Sequence, residues 1–326
     1  MKLERRRFLR LAASAAALPA VSRIAWAQSY PTRPVRMIVP YAPGSVVDTN
    51  TRLIAQKLSE NLGKQFYIEN IAGAGGNIAI GRAAQAAPDG YTMLAVSLNY
   101  VLNPALFDKV PYDPLKSFEP IALTVTTNVL LTVNPSVPAG TVEDLIALVK
   151  AKPAKYSYAS GGGVGSPGHL VGEQFRLALG LDLVHVPFNG ANLAVGSVVA
   201  GHTPIGFVAP TPALSLIKDG KLRALGQAST MRLQALPDVP TMAEAGYPGI
   251  ECDSWGGFLV PAGTPRPIIA TLNRETVKII ALPELRERLT GLGSDPIGST
   301  PDEFALRIKT DIEKWGKVIR AAHIKL

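Results

Sequence analysis

Val35-Arg36-Met37-Ile38-Val39-Pro40-Tyr41-Ala42-Pro43-Gly44-Ser45-Val46-Val47-Asp48 passes from a β-branched apolar run, through a proline- and glycine-bearing loop, into a helix start. The run 35–39 has the length and composition of a buried strand, and the apolar spacing after Ser45 predicts a helix over 46–61. The same alternation continues outward: a strand at 66–69, a helix over 78–85 and a strand at 91–96. After a proline-rich passage over 103–120 it resumes with strands at 129–133, 156–159, 183–187 and 204–208, and helices over 142–150 and 170–179. A third region has strands at 222–227 and 252–260, then helices over 267–280, 283–289 and 301–321, with Pro283 and Pro301 placed for a first helical turn. Strand and helix alternating from end to end predict an α/β protein with largely parallel sheets. The stretch 236–249, rich in proline and glycine, reads as a connector.

Two strand-to-helix junctions carry the chemistry. Backbone N–H groups in the first turn of a helix have no acceptor in that helix, and the dipole makes that end positive, so such a junction attracts an anion without a cationic side chain. At the first, Gly44 permits close backbone approach, Ser45 offers a hydroxyl and Asp48 sits in the first turn. Ser45 can cap the helix, contact a ligand, or do both. The second is Ser160-Gly161-Gly162-Gly163-Val164-Gly165-Ser166-Pro167-Gly168-His169. Gly163, Gly165 and Gly168 spell G-x-G-x-x-G with Asp182 further on, the dinucleotide pattern, but Pro167, His169 and the mid-chain position fit it poorly. A third cluster, Gly73-Ala74-Gly75-Gly76-Asn77, reads as a tight turn before a helix or as a ligand contact.

The amino terminus carries a different signal. Arg5, Arg6 and Arg7 precede an apolar stretch that ends at Ala25-Trp26-Ala27, an A-x-A cleavage site, so residues 1–27 read as a secretory signal peptide. Arg5-Arg6-Arg7-Phe8-Leu9 is similar to a twin-arginine (Tat) signal, although Glu4 stands where Ser or Thr is usual. Removal after Ala27 takes most of the formal charge of +8 with it, leaving about +3, which withdraws the compositional case for nucleic acid. Cys252, the single cysteine, excludes an internal disulfide and reads as a small buried apolar side chain.

Enzymatic readings find little to hold. No serine has glycine at both −2 and +2, and there is no P-loop, no H-E-x-x-H and no cysteine pair. His169 and Glu173 at i, i+4 read as a helix-surface pair rather than metal ligands, and His185 as a structural residue within a strand. Tyr41 and Phe188 either stack on a ligand or pack in the core. No cofactor is expected. The enzymatic alternative is an exported hydrolase of esters or amides using a loop serine, Ser45 or Ser166.

Tyr30-Pro31-Thr32-Arg33-Pro34, Val39-Pro40-Tyr41, Gly73-Ala74-Gly75-Gly76-Asn77-Ile78 and Ala87-Pro88-Asp89-Gly90-Tyr91-Thr92 form an ordered series. It continues through Asn103-Pro104-Ala105-Leu106, Tyr158-Ala159-Ser160, His185-Val186-Pro187-Phe188-Asn189-Gly190 and Gly220-Lys221-Leu222-Arg223-Ala224-Leu225 to Pro261-Ala262-Gly263-Thr264-Pro265. In this series the chain resembles the Bug family, the tricarboxylate-binding receptors of tripartite tricarboxylate transporters. The resemblance implies a non-enzymatic periplasmic solute-binding protein of the type II fold, two α/β lobes with a ligand cleft between them. Lobe 1 would comprise residues 28–125 plus 226–326, and lobe 2 residues 126–225. It implies a small carboxylate ligand, di- or tricarboxylate or aromatic acid, passed to the membrane components of the transporter. The contacts it implies are Tyr41, Gly44, Ser45 and Asp48 from one lobe and Ser160, Gly163, Gly165, Ser166 and His169 from the other, with Ser97 and Asn99 lining the cleft. Val46 and Val47 are bulkier than the family pattern, and 191–207 lacks the family's acidic residues, which favours a larger or less polar ligand such as an aromatic acid.

Overall fold

The computed structural model describes residues 30–326; the signal peptide and cleavage site expected from the sequence lie outside the described residues. The first sheet is built from β1 (Val35–Val39), β2 (Phe66–Asn70), β3 (Thr92–Ser97), β4 (Phe118–Thr127), β10 (Ser254–Pro261) and β11 (Asp295–Pro296), in the order β11-β4-β10-β3-β1-β2. The second holds β5 (Val129–Val133), β6 (Tyr156–Gly161), β7 (Leu183–Phe188), β8 (Ile205–Val208) and β9 (Arg223–Ala228), in the order β7-β6-β8-β5-β9.

Neither sheet is largely parallel, which corrects the expectation from sequence. β1 runs parallel to β2 and β3, and β6 parallel to β7 and β8. β10 is antiparallel to both its neighbours β3 and β4, and β5 is antiparallel to β8 and β9. The cause is the path of the chain. β4 leaves the first sheet at its carboxyl end and only Asn128 separates it from β5, so β5 enters the second sheet from that same end and must run against it. β9 leaves the second sheet likewise, and β10 re-enters the first against its direction. Asn128 ties the crossings together: its Nδ2 donates to Gln227 Oε1 at 2.8 Å and to Met231 O at 3.0 Å. Gln227, wholly buried in β9, donates in turn to Leu236 O and Val239 O.

Helices cover both faces of the first sheet. The pleat sends Val35, Met37 and Val39 into one apolar cluster with Ile54 and Leu58 of α1 (Val46–Leu62), and sends Ile38 into another. The remaining helices are α2 (Asn77–Ala84), α3 (Asn99–Leu106), α4 (Val142–Ala151), α5 (Pro167–Leu179), α6 (Ala191–Val199), α7 (Leu214–Lys218), α8 (Arg266–Ile280), α9 (Pro283–Gly291) and α10 (Pro301–Ala321). Thr300 and Glu303 form a reciprocal capping box that starts α10 where the sequence placed it.

α3 and β4 occupy the passage that reads as irregular from its prolines. Pro104 inside α3 cannot donate to Tyr100 O, and the Tyr112 hydroxyl supplies that bond at 2.8 Å. Pro120 sits in β4 where β11, which pairs only with Val125 and Thr126, leaves the outer edge uncovered by a strand. α6 and α7 also go unpredicted. α6 is apolar around most of its circumference, with Gly196 in its interior, so no amphipathic stripe announces it.

Packing on β10 depends on its missing side chains. A Cβ on Gly257 would stand 2.4 Å from Phe304 Cζ and 2.8 Å from Ala122 O, so α10 docks only because that position is bare. Gly257→Ala is expected to lower unfolding stability by about 1–3 kcal/mol, the usual cost of overpacking, measured by urea denaturation with an unchanged m-value.

Candidate functional site

A cavity of about 140 Å³ lies between the two sheets, where the strands' carboxyl ends face each other. Val46 and Val47 reach it from the start of α1, and Pro167 and Gly168 from the start of α5. Two positive helix ends thus meet on one partly open space. Its other walls come from β3 and β4 (Val96, Ser97, Thr124, Val125), the crossing at Thr127-Asn128-Val129, and β10 (Ser254, Trp255, Gly256). No side chain among the lining residues carries a charge.

The first junction is held from behind. Ser45 caps α1, its hydroxyl accepting from Asp48 N at 3.2 Å. Asp48 is 2 % exposed, and its carboxylate accepts from Gly44 N at 2.8 Å, Arg52 Nε at 2.9 Å and Asn70 Nδ2 at 2.8 Å. Burial alone would raise its pKa; the bonds from Arg52, Asn70 and Gly44 outweigh that and hold it below the usual carboxylate range. Gly44 takes φ +79°, a left-handed conformation that places its N–H on this carboxylate. Asp48 therefore positions the loop, its oxygens already spoken for. Tyr41 stands one layer further back, its hydroxyl 2.7 Å from Ser97 Oγ and its pKa pushed up to about 12 by burial.

The second junction repeats the device. Ser166 caps α5, accepting from His169 N at 3.4 Å, and His169 Nδ1 accepts from Gly165 N at 2.9 Å. Gly163 has φ +80° and open space around it, while Gly162 N and Gly163 N both donate to Phe188 O. Gly168 touches the opposite strand so closely that a Cβ would lie 2.4 Å from Phe207 O. Gly168 N, in the first turn and therefore without an acceptor in its own helix, is thereby placed beside the cavity.

Of the residues expected at the site, Ser97 lines the cavity itself. Tyr41, Gly44, Ser45 and Asp48 build the support for Val46 and Val47; Gly163, Gly165, Ser166 and His169 do the same for Pro167 and Gly168. Asn99, the first residue of α3, and Ser160 fall outside the lining. Ser160 is wholly buried, with Oγ 2.8 Å from His185 Nε2. That distance is right for a serine–histidine pair, yet no substrate can reach a hydroxyl with no exposed surface. His185 is held neutral: burial, then the neighbouring His169 ring stacked at 3.9 Å, bring its pKa down to about 4. Glu173 is engaged by Arg176 and Tyr158, so it is no partner for His169 in binding a metal. Among the described residues no group of three or more His, Cys, Asp and Glu could hold a metal ion. Cys252 is buried and its thiol pKa is raised by that burial, which leaves it unreactive.

Sequence reasoning missed Asn50, Thr51, Thr124, Asn128, Gly256 and the turn at Ala209-Pro210. Asn50 donates to Ser294 Oγ at 2.9 Å, and its buried Oδ1 has no partner in the protein. The glycine pair Gly256-Gly257 inside an apolar run was the one readable cue, because a glycine within a strand marks close approach.

The interior carboxylate makes a testable demand. Since the folded pKa of Asp48 lies below the unfolded value of about 3.9, its contribution is present above that pH and fades as pH falls through the folded value. Asp48→Asn is expected to cost about 1–3 kcal/mol at pH 7. The gap to the parent protein should narrow below about pH 4, as urea titrations across that range would record.

Residues 50–324 match the family model described as the tripartite tricarboxylate transporter family receptor. The chain is 34% identical over 302 residues to Protein BugT of Bordetella pertussis, covering 92% of each. It is also similar to the solved structure of R. palustris Rpa4515 with adipate, at 31% identity and TM-score 0.83, covering 91% of this chain and 100% of that one. MatC from Rhodopseudomonas palustris, solved with bound malate, aligns at 33% identity and TM-score 0.78, covering 89% of this chain and all of the other. With its two mixed sheets and the opposed helix starts between them, this chain belongs to the tripartite tricarboxylate transporter receptor family.

Proposed function

We propose that the chain is an exported, non-enzymatic receptor that captures one small carboxylate between two lobes and delivers it to the membrane components of a tripartite tricarboxylate transporter. The observation that carries this reading is the convergence of the α1 and α5 starts on a single cavity with no charged or titratable side chain in its walls. Such a space attracts an anion through backbone N–H groups, and its walls hold no titratable group to act as acid or base or to activate the serine and threonine hydroxyls that line it. Export into the periplasm follows from the signal at residues 1–27, cleaved after Ala27. Adipate and malate in the two related structures agree with a carboxylate ligand.

The loop serines argue against the hydrolase alternative. Ser45 and Ser166 spend their hydroxyls as helix caps. Tyr41, Gly44, Ser45, Asp48, Ser97, Asn99, Ser160, Gly163, Gly165, Ser166 and His169 remain the proposed ligand-site set, most of them acting by holding the two junctions rather than by touching the solute. Thermal unfolding of the purified protein across a panel of organic acids tests the receptor reading. A true ligand at a hundredfold excess over Kd adds about 2.7 kcal/mol of stability and is recovered unchanged. A melting curve that no acid moves, while a neutral compound does, would sink it.

The two lobes, 28–125 plus 226–326 and 126–225, would hinge at Asn128 and at the second crossing. The crossing points lie slightly past those boundaries, since β4 ends at Thr127 and β9 at Ala228. Thr211 Oγ1, beyond β8, donates to Leu292 O at 2.6 Å, and a Cβ on Gly293 would sit 2.7 Å from Pro210 Cβ. These contacts join the two proposed lobes away from the crossings. Thr211→Val should therefore weaken ligand affinity up to about tenfold, the value of one hydrogen bond, mainly through faster release. Stopped-flow release of a bound acid measures it, and an unchanged rate would place the closing contact elsewhere.

A further inference from the structure

We infer that the cavity selects a monocarboxylate with an uncharged apolar body about the size of one six-membered ring, in preference to a second carboxylate; the inference rests on the receptor reading above. Three observations carry it. The volume, about 140 Å³, matches the engineered apolar cavity of about 150 Å³ that takes up benzene. Away from the two helix starts the lining includes Ile54, Val96, Val125, Val129, Phe207 and Phe258. The polar residues among the rest of the lining are neutral: Asn50, Thr51, Ser97, Thr124, Asn128 and Ser254 lead them, with no Lys, Arg or His.

One carboxylate can be met by the N–H groups of Val47 and Gly168, both in first turns. A second would be drawn out of water into a wall with no counter-charge, and an unpaired buried charge is far costlier than a buried ring is favourable. Arg52, the guanidinium nearest in sequence to the α1 start, is already committed to Asp48 and Asn70. Gly256 sets the width of the space. A Cβ there would press on Val125 Cγ2 at 3.2 Å and stand 3.9 Å from Thr124 Oγ1, both in the lining; its backbone is not left-handed, so alanine suits the strand's conformation and narrows the cavity once the Val125 side chain yields slightly.

Calorimetric titration of the purified protein with benzoate, terephthalate, adipate, malate and benzamide tests this. Benzoate is expected to bind at least tenfold more tightly than each dicarboxylate and than benzamide. Gly256→Ala is expected to weaken benzoate at least tenfold while the free protein's melting temperature stays near the parent value. Should that variant not fold, Val125→Thr, which keeps the shape and adds a hydroxyl to the wall, is expected to weaken benzoate in the same direction. Benzoate binding no better than a dicarboxylate, including none for either, overturns the inference; tight binding of the dicarboxylate in that case leaves the receptor reading standing. Benzamide binding as tightly as benzoate, with no acid tighter, overturns both. Benzoate affinity unchanged in a folded variant overturns the placement of the ring in this cavity.

Discussion

The chain passes between its two sheets only at the carboxyl ends of their strands, and this constraint orders everything else. A segment leaving one sheet at that end has to enter the other at the same end, so β5 and β10 run against their neighbours and, β11 apart, the two sheets have the same order. The helices that follow β1 and β6 also begin there. Their first turns face one another across the crossings as a consequence of topology, before any side chain is chosen.

What the side chains contribute is support. Ser45 with Asp48, and Ser166 with His169, secure the two junctions through bonds made inside the protein, and glycines at 44, 163 and 165 take left-handed conformations that other residues adopt with strain. The polar groups with the most conspicuous chemistry are consumed in this work. Asp48 has three donors, Ser160 has His185, and Glu173 has Arg176 and Tyr158. Free N–H groups and the shape of the wall are what remain for a ligand.

That division explains what the sequence could and could not disclose. Junction residues are legible because glycine, serine and aspartate at a strand-to-helix turn have few other uses, and the helices 142–150 and 301–321 are legible from their spacing and caps. Wall residues are not. Val125, Phe207 and Ile54 look like any core residue until the strands are paired, and Asn50 becomes a cavity residue only through the α1 orientation fixed by Asp48 and Ser45. The mixed direction of the sheets was hidden for a similar reason: nothing in the apolar run of β10 tells whether it returns parallel or against its neighbours. α3 and β4 were concealed by their prolines, whose missing donors are compensated by Tyr112, which lies beyond the end of α3, and by an edge that needs none.

The same division has a consequence for how relatives on this framework can differ. Changing a junction residue removes a bond on which the loop geometry depends, so it affects stability and every ligand alike. Changing a wall residue such as Gly256 or Val125 alters volume or polarity in one place and leaves the two helix ends where they were. In a receptor of the proposed kind, recognition of the negative charge is therefore tied to the fold, whereas recognition of the body of the solute is free to vary. In this chain the freedom has been spent on a wall without charge. On the proposed reading an anion is admitted by the backbone, and what it carries behind its carboxylate is judged by fit and by how little it minds leaving water.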